Sequence, residues 1–371
     1  MDRLNIQKNK ISIRIVNVID WDIEFYKLVD DIQIDWPGKV LVVVDETVRD
    51  LFCESLMNLV GLCEEKKMIY ISANERNKSL QTVEYIIENA RCMSMSGSGL
   101  ILAVGGGVVS DIVGYAASIY RRGVAHIRIP TTLLAQVDAA VGVKNGINYS
   151  INNKNFLGSF YTAKKVVICD EFLKTLPNKI GRSGVAEMIK LAIIADKKLF
   201  NLILAKKEEL SDLKNNWDDI YVRGIKRRAI IGMEKGLVNN FFEHDTRRAV
   251  AFGHEIAHLL EGQSNFTISH GEAVAINVAF SCAMSYMLKN ISEQDLKEIL
   301  DILLFFNLPI FSSYLKGLSL PVFLSAIRAQ RRGHLHYVIP KKIGSAAFLE
   351  DIEERLMVDA CIYLDRYANA H

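Results

Sequence analysis

Residues 101–123, ILAVGGGVVSDIVGYAASIYRRG, contain the turn that decides the fold. Gly105, Gly106 and Gly107 follow directly on residues typical of a buried strand, and an apolar stretch with helical spacing comes next, interrupted by Asp111. Glycine lets a backbone approach an anion closely, and the unpaired N–H groups of a first helical turn point at that anion. The stretch therefore indicates a phosphate-binding turn. A purely structural tight turn is the alternative, because the spacing is not GxGxxG.

Continuously apolar runs alternate with helical periods on both sides of this turn. The strand-like runs are GKVLVVVD (38–45), KMIYIS (67–72), AHIRIPTT (125–132) and VVICDEFL (166–173). Apolar strands that alternate with helices indicate a parallel sheet covered on both faces. Beyond this region helical spacing dominates, apart from an extended piece at LHYVIP (335–340). We therefore predict an α/β domain over residues 1–170 and a mainly helical domain over residues 171–371.

Composition narrows the class of protein. The chain has 371 residues, 50% of them hydrophobic, which suffices for two domains because a single core rarely exceeds about 250–300 residues. A net charge of +2 without long blocks of like charge argues against a nucleic-acid partner. The absence of a signal-type segment and of any apolar run near ~18 residues predicts a cytoplasmic protein without membrane contact. The six cysteines lack CxxC spacing, which argues against a zinc ribbon or a disulfide framework.

Several charged residues occur in apolar segments that are expected to be buried, where each needs a binding partner or a functional role. Asp45 closes an apolar strand, and a carboxylate there can accept hydrogen bonds from ribose hydroxyls, as in dinucleotide-binding folds. The segment RRGVAHIRIPTTLLAQVDAAVGVKNGINY, too apolar for a solvated loop, contains Arg122, Asp138, Lys144 and Asn148. Because unpaired burial of such groups is costly, they indicate either a binding site or a structural ion-pair network.

Residues 254–258 read HEIAH, which supports two hypotheses. In the first, the HExxH pattern of zinc peptidases puts two histidines one helical turn apart on a metal, with Glu255 as the base. In the second, His254 combines with His270, of TISHGEAVA, and Glu187, of GVAEMIK. One carboxylate and two imidazoles with open positions also make a catalytic metal site. Sequence spacing alone does not decide between the two sets.

Taken together, these segments resemble the sugar phosphate cyclases, the superfamily of 3-dehydroquinate synthase, over roughly residues 38–350. GGGVVSDIVGYAASIYRRG resembles the NAD pyrophosphate loop of that family, and PTTLLAQVDAAVGVKNGIN its nicotinamide and substrate segment. GVAEMIK, GHEIAH and SHGEAVA resemble its three metal-ligand segments. The resemblance implies an α/β fold with an N-terminal Rossmann-like NAD-binding domain and a mainly helical metal-binding domain. It also implies NAD and Zn²⁺ or Co²⁺ as cofactors, a small-molecule sugar phosphate as substrate, and a homodimer.

The resemblance further implies roles for individual residues. The implied metal ligands are Glu187, His254 and His270. The implied cofactor-binding residues are Asp45, Glu75, Lys78, Gly105, Gly106, Gly107, Asp111, Thr131, Thr132, Asp138, Lys144 and Lys154. The implied catalytic and substrate-binding residues are Lys144, Lys190, His258, Asp138, Arg122, Lys154, Asn155 and Arg247. Under this assignment HEIAH is a coincidental peptidase signature, and Arg122 holds the substrate phosphate and reaches across a dimer interface.

The chemistry implied by the resemblance is that of a carbon–oxygen lyase. In the family, a ring hydroxyl of a metal-held sugar phosphate is oxidised by bound NAD, and the new ketone acidifies the neighbouring C–H bond. Phosphate is then eliminated and the hydride is returned. Finally the ring opens, and an intramolecular aldol step closes a carbocycle. The metal serves as a Lewis acid on the hydroxyl that is oxidised.

Departures from the family pattern bear on the substrate. 3-Dehydroquinate synthase holds a substrate carboxylate, and its pattern has lysine, asparagine and DKK where this chain reads Met233, Ala251 and Gln330–Arg332. The segments RRAIIGM, NNFFEH and HLHYVIPKKIGSAAFLED instead resemble the sedoheptulose 7-phosphate cyclases of the 2-epi-5-epi-valiolone synthase type. We therefore predict a C7 cyclitol product, with an epimer or a deoxygadusol-type product also open. 3-Dehydroquinate synthase stays an alternative, because His258 matches that enzyme.

Overall fold

The computed structural model describes residues 9–14, 20–150, 154–238, 240–265 and 267–371. The chain divides into two compact units. The first comprises Met1–Pro177 and Leu213–Asp219, and the second comprises Asn178–Asp212 and Ile220–His371. None of the helices within the described ranges has the length and apolar character needed to cross a membrane.

The first unit is built on a parallel sheet. Its strands are β1 (Asn9–Arg14), β2 (Asp20–Tyr26), β3 (Val40–Asp45), β4 (Lys66–Ile71), β5 (Leu100–Gly105), β6 (Ala125–Pro130), β7 (Lys144–Ile147), β8 (Leu157–Phe160) and β9 (Lys165–Cys169). Seven of these strands pair in the order β1-β2-β9-β6-β5-β3-β4. Every neighbouring pair is parallel except β1 with β2. The other two, β7 and β8, form a separate antiparallel hairpin.

Helices cover both faces of this sheet. They are α1 (Glu46–Met57), α2 (Leu80–Cys92), α3 (Gly107–Ile119) and α7 (Leu213–Asn216). Shorter helical turns lie at Val29–Asp31, Glu75–Asn77, Tyr120–Arg122, Ala135–Ala139 and Asp170–Thr175. On one face Val42 packs in a cluster with Phe52 of α1, and on the other Val43 packs in a cluster with Ile112 of α3. The Val- and Leu-rich strands β3 and β5 thus have the two buried faces that their sequences indicate.

Three neighbouring strands end at the same edge of the sheet. β3 ends at Asp45, β5 at Gly105 and β6 at Pro130, and the three strands are parallel neighbours. In open α/β sheets, ligands bind beyond the carboxyl ends of the strands. The backbone therefore places the predicted ribose carboxylate beside the glycine turn.

The second unit is mainly helical. Its helices are α4 (Asn178–Ala195), α5 (Lys197–Ala205), α6 (Lys207–Ser211), α8 (Ile220–Leu237), α9 (Ala257–Gln263), α10 (His270–Met287), α11 (Glu293–Phe305), α12 (Ser313–Lys316), α13 (Leu320–Gln330) and α14 (Glu354–Ala370). A short 3₁₀ turn spans Ala249–Ala251, and strands β10 (Tyr337–Lys342) and β11 (Ser345–Leu349) pair antiparallel. The apolar helix α10 packs against α4, α9, α11, α14 and β10. It is the central element of this unit.

The predicted fold class is confirmed: a parallel α/β sheet is followed by a mainly helical part. The extended piece predicted at 335–340 is present as β10. The sequence did not predict β1, β2, β7, β8 or β11. The predicted domain boundary at residue 170 falls at the first residue of the helical turn Asp170–Thr175.

Candidate active site

Three of the predicted ligands meet inside the second unit. Glu187 lies on α4, His270 begins α10, and His254 lies in the segment just before α9. The Nε2 atoms of His254 and His270 lie 3.3 Å and 3.6 Å from Oε1 of Glu187, and the candidate ligand atoms of all three residues lie within 4.8 Å of one another. Glu187 is fully buried, and its Oε1 has no hydrogen-bond partner among the described residues. A buried carboxylate oxygen that faces two imidazole nitrogens fits a divalent cation of the zinc or cobalt type.

The charges around Glu187 keep it ionised. Lys190, one helical turn further on α4, is also fully buried, and its Nζ lies 2.5 Å from Oε2 of Glu187. Burial alone would raise the pKa of the Glu187 carboxyl, but Lys190 and the two imidazoles outweigh it and hold that pKa below its ordinary value. Burial and the charge of Lys190 hold the pKa of His254 well below its ordinary value. His254 is therefore neutral, as a metal ligand must be.

Two further side chains complete this cluster, which we call the histidine cluster: Glu187, Lys190, His254, His258, Glu261 and His270. The ring centroids of His254 and His270 are 5.2 Å apart, and those of His258 and His270 are 6.3 Å apart. Burial lowers the pKa of His270, but the facing carboxylates of Glu187 and Glu261 outweigh burial and raise it to about 9. Metal binding would therefore displace a proton from this imidazole.

The HEIAH segment lacks the geometry of a zinc peptidase. Helix α9 begins only at Ala257, so His254 precedes the helix that carries His258. Glu255 is buried, and its Oε1 accepts a hydrogen bond from the N–H of Val338 at 3.1 Å and lies 3.2 Å from the Arg331 guanidinium. The glutamate of the motif thus serves as a structural anchor. Of the two hypotheses for this segment, the structure supports the set with Glu187 and His270.

The glycine turn in the first unit has the features of a phosphate cradle. A Cβ atom on Gly105 would lie 2.4 Å from Cγ2 of Val109, so only glycine allows this close packing of β5 on α3. Gly106 is the N-cap residue of α3 and provides no capping side chain. The first amides of α3 are consequently not covered by a side-chain cap, and with the helix dipole they favour an anion. The turn therefore fits the pyrophosphate of a dinucleotide.

Residues at the ends of β3 and β6 complete the edge of the sheet beside the glycine turn. Asp45 caps α1 by accepting a hydrogen bond from the Thr47 N–H at 2.9 Å. Burial raises the pKa of Asp45, and the hydrogen bonds from Thr47 partly offset that increase. The Thr131 N–H donates to the Gly105 carbonyl at 3.0 Å, and the Thr132 hydroxyl accepts from the Ala135 N–H at 3.2 Å. These residues hold the three strand ends in register.

A polar cluster joins predicted cofactor residues to a predicted substrate residue. Lys78 is buried, and its Nζ lies 2.5 Å from Asp111 and donates to Oδ1 of Asn155 at 2.6 Å. Asn148 donates to the Glu75 carboxylate at 2.9 Å and accepts from the Asn155 N–H at 2.8 Å. Residues from α3, the 75–77 turn and the start of β8 are thus tied together. In this arrangement Lys78 neutralises Asp111 rather than facing solvent.

A buried arginine that the sequence analysis did not single out holds the segment with Asp138 and Lys144. Arg128 on β6 is completely buried, and its Nη1 donates to the Gly142 carbonyl at 2.8 Å and to the carbonyls of residues 139 and 140 at 3.3 Å. Its Nη2 donates to Oδ1 of Asn145 at 2.5 Å. Arg128 thereby fixes the backbone on both sides of Lys144. The signal in the sequence is an arginine inside the apolar strand AHIRIP.

The remaining predicted residues lie nearer the surface. Lys144 begins β7 with an exposed side chain, and Lys154 is half-buried. Arg122 is exposed at a left-handed φ of 68°, next to Arg121 at 48°. Such conformations are strained for residues with side chains and concentrate at functional sites. Arg247 is exposed and pairs with Glu350 at 2.9 Å.

Known proteins match this chain over most of its length. Models of the 3-dehydroquinate synthase N-terminal and C-terminal families match residues 68–183 and 184–331. The 3-dehydroquinate synthase of Campylobacter concisus is 36% identical over 87% of this chain and 90% of its own length. The 2-epi-5-epi-valiolone synthase of Streptomyces hygroscopicus subsp. jinggangensis is 33% identical over 88% of this chain and 80% of its own.

Solved structures agree with these matches. The structure of that Streptomyces valiolone synthase, with NAD⁺ and Zn²⁺ bound, superposes with a TM-score of 0.86 and 30% identity, covering 96% of this chain and 99% of its own. A 2-deoxy-scyllo-inosose synthase with NAD⁺ and Co²⁺ shares the fold at 18% identity and a TM-score of 0.74, covering 95% of this chain and 99% of its own. The fold is that of the sugar phosphate cyclases. The chain belongs to the 3-dehydroquinate synthase family within that superfamily.

Proposed function

We propose that this enzyme cyclises sedoheptulose 7-phosphate to a C7 cyclitol, 2-epi-5-epi-valiolone or a related epimer or deoxygadusol-type product, with elimination of phosphate. In this proposal the reaction depends on NAD and on Zn²⁺ or Co²⁺, and the enzyme is a carbon–oxygen lyase. The observation that carries the metal-dependent chemistry is the meeting of Glu187, His254 and His270, whose candidate ligand atoms lie within 4.8 Å of one another. The TM-score of 0.86 to the Streptomyces valiolone synthase supports it.

In this proposal the histidine cluster holds the metal through Glu187, His254 and His270. When bound, the metal supplies Lewis acidity to the substrate hydroxyl that is oxidised. Lys190 keeps Glu187 ionised through the contact of 2.5 Å and leaves Oε1 for the cation. His258, whose side chain is 39% exposed and whose Nδ1 lies 3.6 Å from Glu261, is the acid–base group of the elimination in this proposal.

The first unit holds NAD in this proposal. The glycine turn Gly105–Gly107 receives the pyrophosphate, and Asp45 accepts from a ribose hydroxyl. Lys78 and Asp111 act through the polar cluster that also orients Asn155. The remaining proposed cofactor residues at this edge are Glu75, Thr131, Thr132, Asp138, Lys144 and Lys154. We assign residues 1–170 to this NAD-binding role and residues 171–371 to metal and substrate binding.

The cationic residues near the surface bind the phosphate in this proposal. They are Arg122, Lys144, Lys154 and Arg247, of which Arg122 acts across the interface of a homodimer. NAD, when bound, would accept a hydride from the substrate and later return it, so that the overall reaction would be redox-neutral. The carbon–oxygen bond to phosphate is the one that breaks, and the aldol step then forms a carbon–carbon bond.

The choice of substrate rests on Arg331. In 3-dehydroquinate synthases the corresponding DKK segment and an asparagine help to hold the substrate carboxylate, whereas this chain has Gln330–Arg332 and Ala251. Arg331 is buried, and it donates to the carbonyls of Thr246 and His336 and faces Glu255. The positive charge of Arg331 is therefore balanced by Glu255 within the second unit. A substrate without a carboxylate is the better match to this arrangement.

A second candidate function is 3-dehydroquinate synthase itself. The Campylobacter enzyme of that name is 36% identical to this chain, slightly more than the Streptomyces valiolone synthase at 33%. His258, which matches the dehydroquinate synthase pattern, also favours it. The two candidates differ in the substrate and not in the cofactors or in the elimination step.

Phosphate release distinguishes these candidates directly. We would incubate the enzyme, with NAD and Zn²⁺ or Co²⁺, with sedoheptulose 7-phosphate or with the carboxylated seven-carbon substrate, and identify products by NMR. We expect phosphate from the heptulose phosphate only, without net NADH. Phosphate from only the carboxylated substrate would establish the second candidate, and release from neither would refute both. His270→Ala should abolish release, whereas His371→Ala, which changes an exposed histidine at the end of α14, should leave it unchanged.

A further inference from the structure

Glu261 is a buried acid without a role in the function proposed above. It lies on α9 with 1% of its surface exposed. Its Oε1 lies 2.7 Å from Nδ1 of His270, and its Oε2 lies 3.6 Å from Nδ1 of His258. The Glu261 carboxylate thus faces two imidazoles, and in each case the facing atom is Nδ1 of the ring. Burial of a carboxylate is costly unless it is paired, so this placement needs an explanation.

The contact of 2.7 Å between Oε1 of Glu261 and Nδ1 of His270 determines which ring nitrogen of His270 carries a hydrogen. A carboxylate accepts hydrogen bonds and does not donate them, so Nδ1 of His270 must carry the proton. When a metal displaces the other ring proton, the lone pair lies on Nε2, the atom that faces Glu187. In an isolated neutral imidazole the proton can reside on either nitrogen. The Glu261 carboxylate selects the form with the proton on Nδ1.

The two metal-facing histidines differ in this respect. Nδ1 of His254 lies 3.4 Å from the Phe252 carbonyl and 3.4 Å from Nζ of Lys190, so no carboxylate contact is found at that ring nitrogen among the described residues. His270 has the short contact to Glu261 instead. A carboxylate partner makes an imidazole a stronger donor to a metal than a carbonyl does, because it stabilises positive charge on the ring. Glu261 therefore acts selectively on one ligand.

We propose that Glu261 is a positioning residue that orients His270 toward the metal. Its Oε1 fixes the Nδ1-protonated form of His270 through the contact at 2.7 Å, and its Oε2 lies 3.6 Å from Nδ1 of His258. This inference rests on the proposed metal site, but it concerns a residue outside the set of ligands.

The test measures metal affinity without substrate. We would strip the protein with a chelator and titrate Zn²⁺ against a chromophoric competitor. Glu261→Gln should weaken zinc binding by about 10- to 100-fold, the usual effect of removing such a carboxylate. The matched control is Glu272→Gln. Glu272 caps α10 by accepting from the Ser269 N–H at 2.7 Å, two residues from His270. This control should lower thermal stability but leave zinc affinity within about 3-fold of wild type.

A spectroscopic measurement on the wild type covers the case in which Glu261→Gln does not fold. ¹⁵N NMR of histidine-labelled, zinc-loaded protein reports which nitrogen of each ring is protonated. We expect Nδ1 protonation for His270. Protonation of His270 on Nε2, or unchanged zinc affinity in a folded Glu261→Gln protein, would overturn the proposal.

These results separate the inference from the proposed function. Normal phosphate release together with unchanged zinc affinity in Glu261→Gln would remove the role of Glu261 alone. The expected loss of affinity in a protein that releases no phosphate from either substrate would remove the proposed reaction and leave the metal site intact.

Discussion

Two completely buried charged residues, Arg128 in the first unit and Glu187 in the second, are satisfied in opposite ways. Arg128 in the first unit is surrounded by acceptors, mostly backbone carbonyls, which engage both terminal nitrogens of its guanidinium. Glu187 in the second unit has Lys190 at Oε2, and its Oε1 faces the imidazoles of His254 and His270 without a hydrogen-bond partner among the described residues. The two terminal nitrogens of Arg128 are thus occupied by acceptors, whereas Oε1 of Glu187 is left open to a cation.

This difference distinguishes a buried ion that stabilises the fold from a buried ion that can bind a ligand. A buried cation that engages carbonyls on both sides of a segment fixes that segment, as Arg128 does for the backbone around Lys144. A buried anion with an open coordination position is costly unless a ligand completes it. We therefore expect substitution at Arg128 to affect folding first and substitution around Glu187 to respond strongly to metal.

The largest expected effect is that of Arg128→Met. The change removes a buried charge and leaves the carbonyls of Gly142 and its neighbours, with the Asn145 side chain, without their donor. We expect a loss of about 3–5 kcal/mol in the free energy of unfolding, measured by urea denaturation. Arg355→Met is the control, because the side chain of Arg355 is 89% exposed and its removal should cost less than about 0.5 kcal/mol. Equal losses for the two variants would contradict the structural role of Arg128.

The next effect concerns Lys190→Met. Without metal, this change leaves the Glu187 carboxylate buried without its cation, and we expect a loss of about 3 kcal/mol in the free energy of unfolding. Zn²⁺ should restore part of that loss, because a cation that binds the folded state stabilises it. Lys198→Met, which alters an exposed lysine on α5, should show neither effect. A metal-free Lys190→Met protein as stable as wild type would refute the view that Glu187 needs a compensating charge.

A third buried ionisable group, Glu234, extends the comparison to the pH dependence of stability. Glu234 on α8 is 6% exposed, and its Oε1 has no hydrogen-bond partner among the described residues. Burial raises the pKa of its carboxyl from 4.5 to about 7. The folded protein therefore binds this proton more tightly than the unfolded chain, and the associated stability is present below pH 4.5 and lost as pH rises through 7.

Glu234→Gln tests this expectation. The wild type should lose roughly 1–3 kcal/mol relative to the variant between pH 4 and pH 8, measured by urea denaturation at each pH. Glu353→Gln, an exposed acid just before α14, serves as control and should follow the wild-type curve. Parallel curves for wild type and Glu234→Gln would show that the carboxyl is solvated or paired.

The sequence predicted the parts of the fold that depend on burial pattern. The run at 38–45 is apolar on both faces, which only a covered parallel sheet explains. The hairpin β7–β8 has no such pattern: KNGI and LGSF are short and contain glycine. It forms where the Asn145 side chain bonds the carbonyls of Ser159 and Tyr161. That is a tertiary effect without a local signal.

The site was predictable to a similar extent. The sequence offered two partners for His254, and HEIAH could not decide between them because the start of α9 at Ala257 is not marked by a capping residue. The positioning groups Arg128 and Glu261 were missed for a physical reason. A charge in an apolar segment indicates that a partner exists, but the partners are 11 to 17 and 9 residues away along the chain. Sequence patterns do not specify such contacts.

The smallest expected change in stability is that of Arg247→Met, an exposed ion that provides the contrast to the buried ones. Arg247 and its partner Glu350 are 57% and 53% exposed, and such surface pairs contribute less than about 1 kcal/mol. The denaturation midpoint should therefore barely move, whereas phosphate release should fall at least about 10-fold if Arg247 binds the substrate phosphate as proposed. Glu350→Gln removes the same ion pair but keeps the arginine, and its kcat/KM should stay near that of wild type. Equal losses of activity in the two variants would mean that the pair matters and the free guanidinium does not.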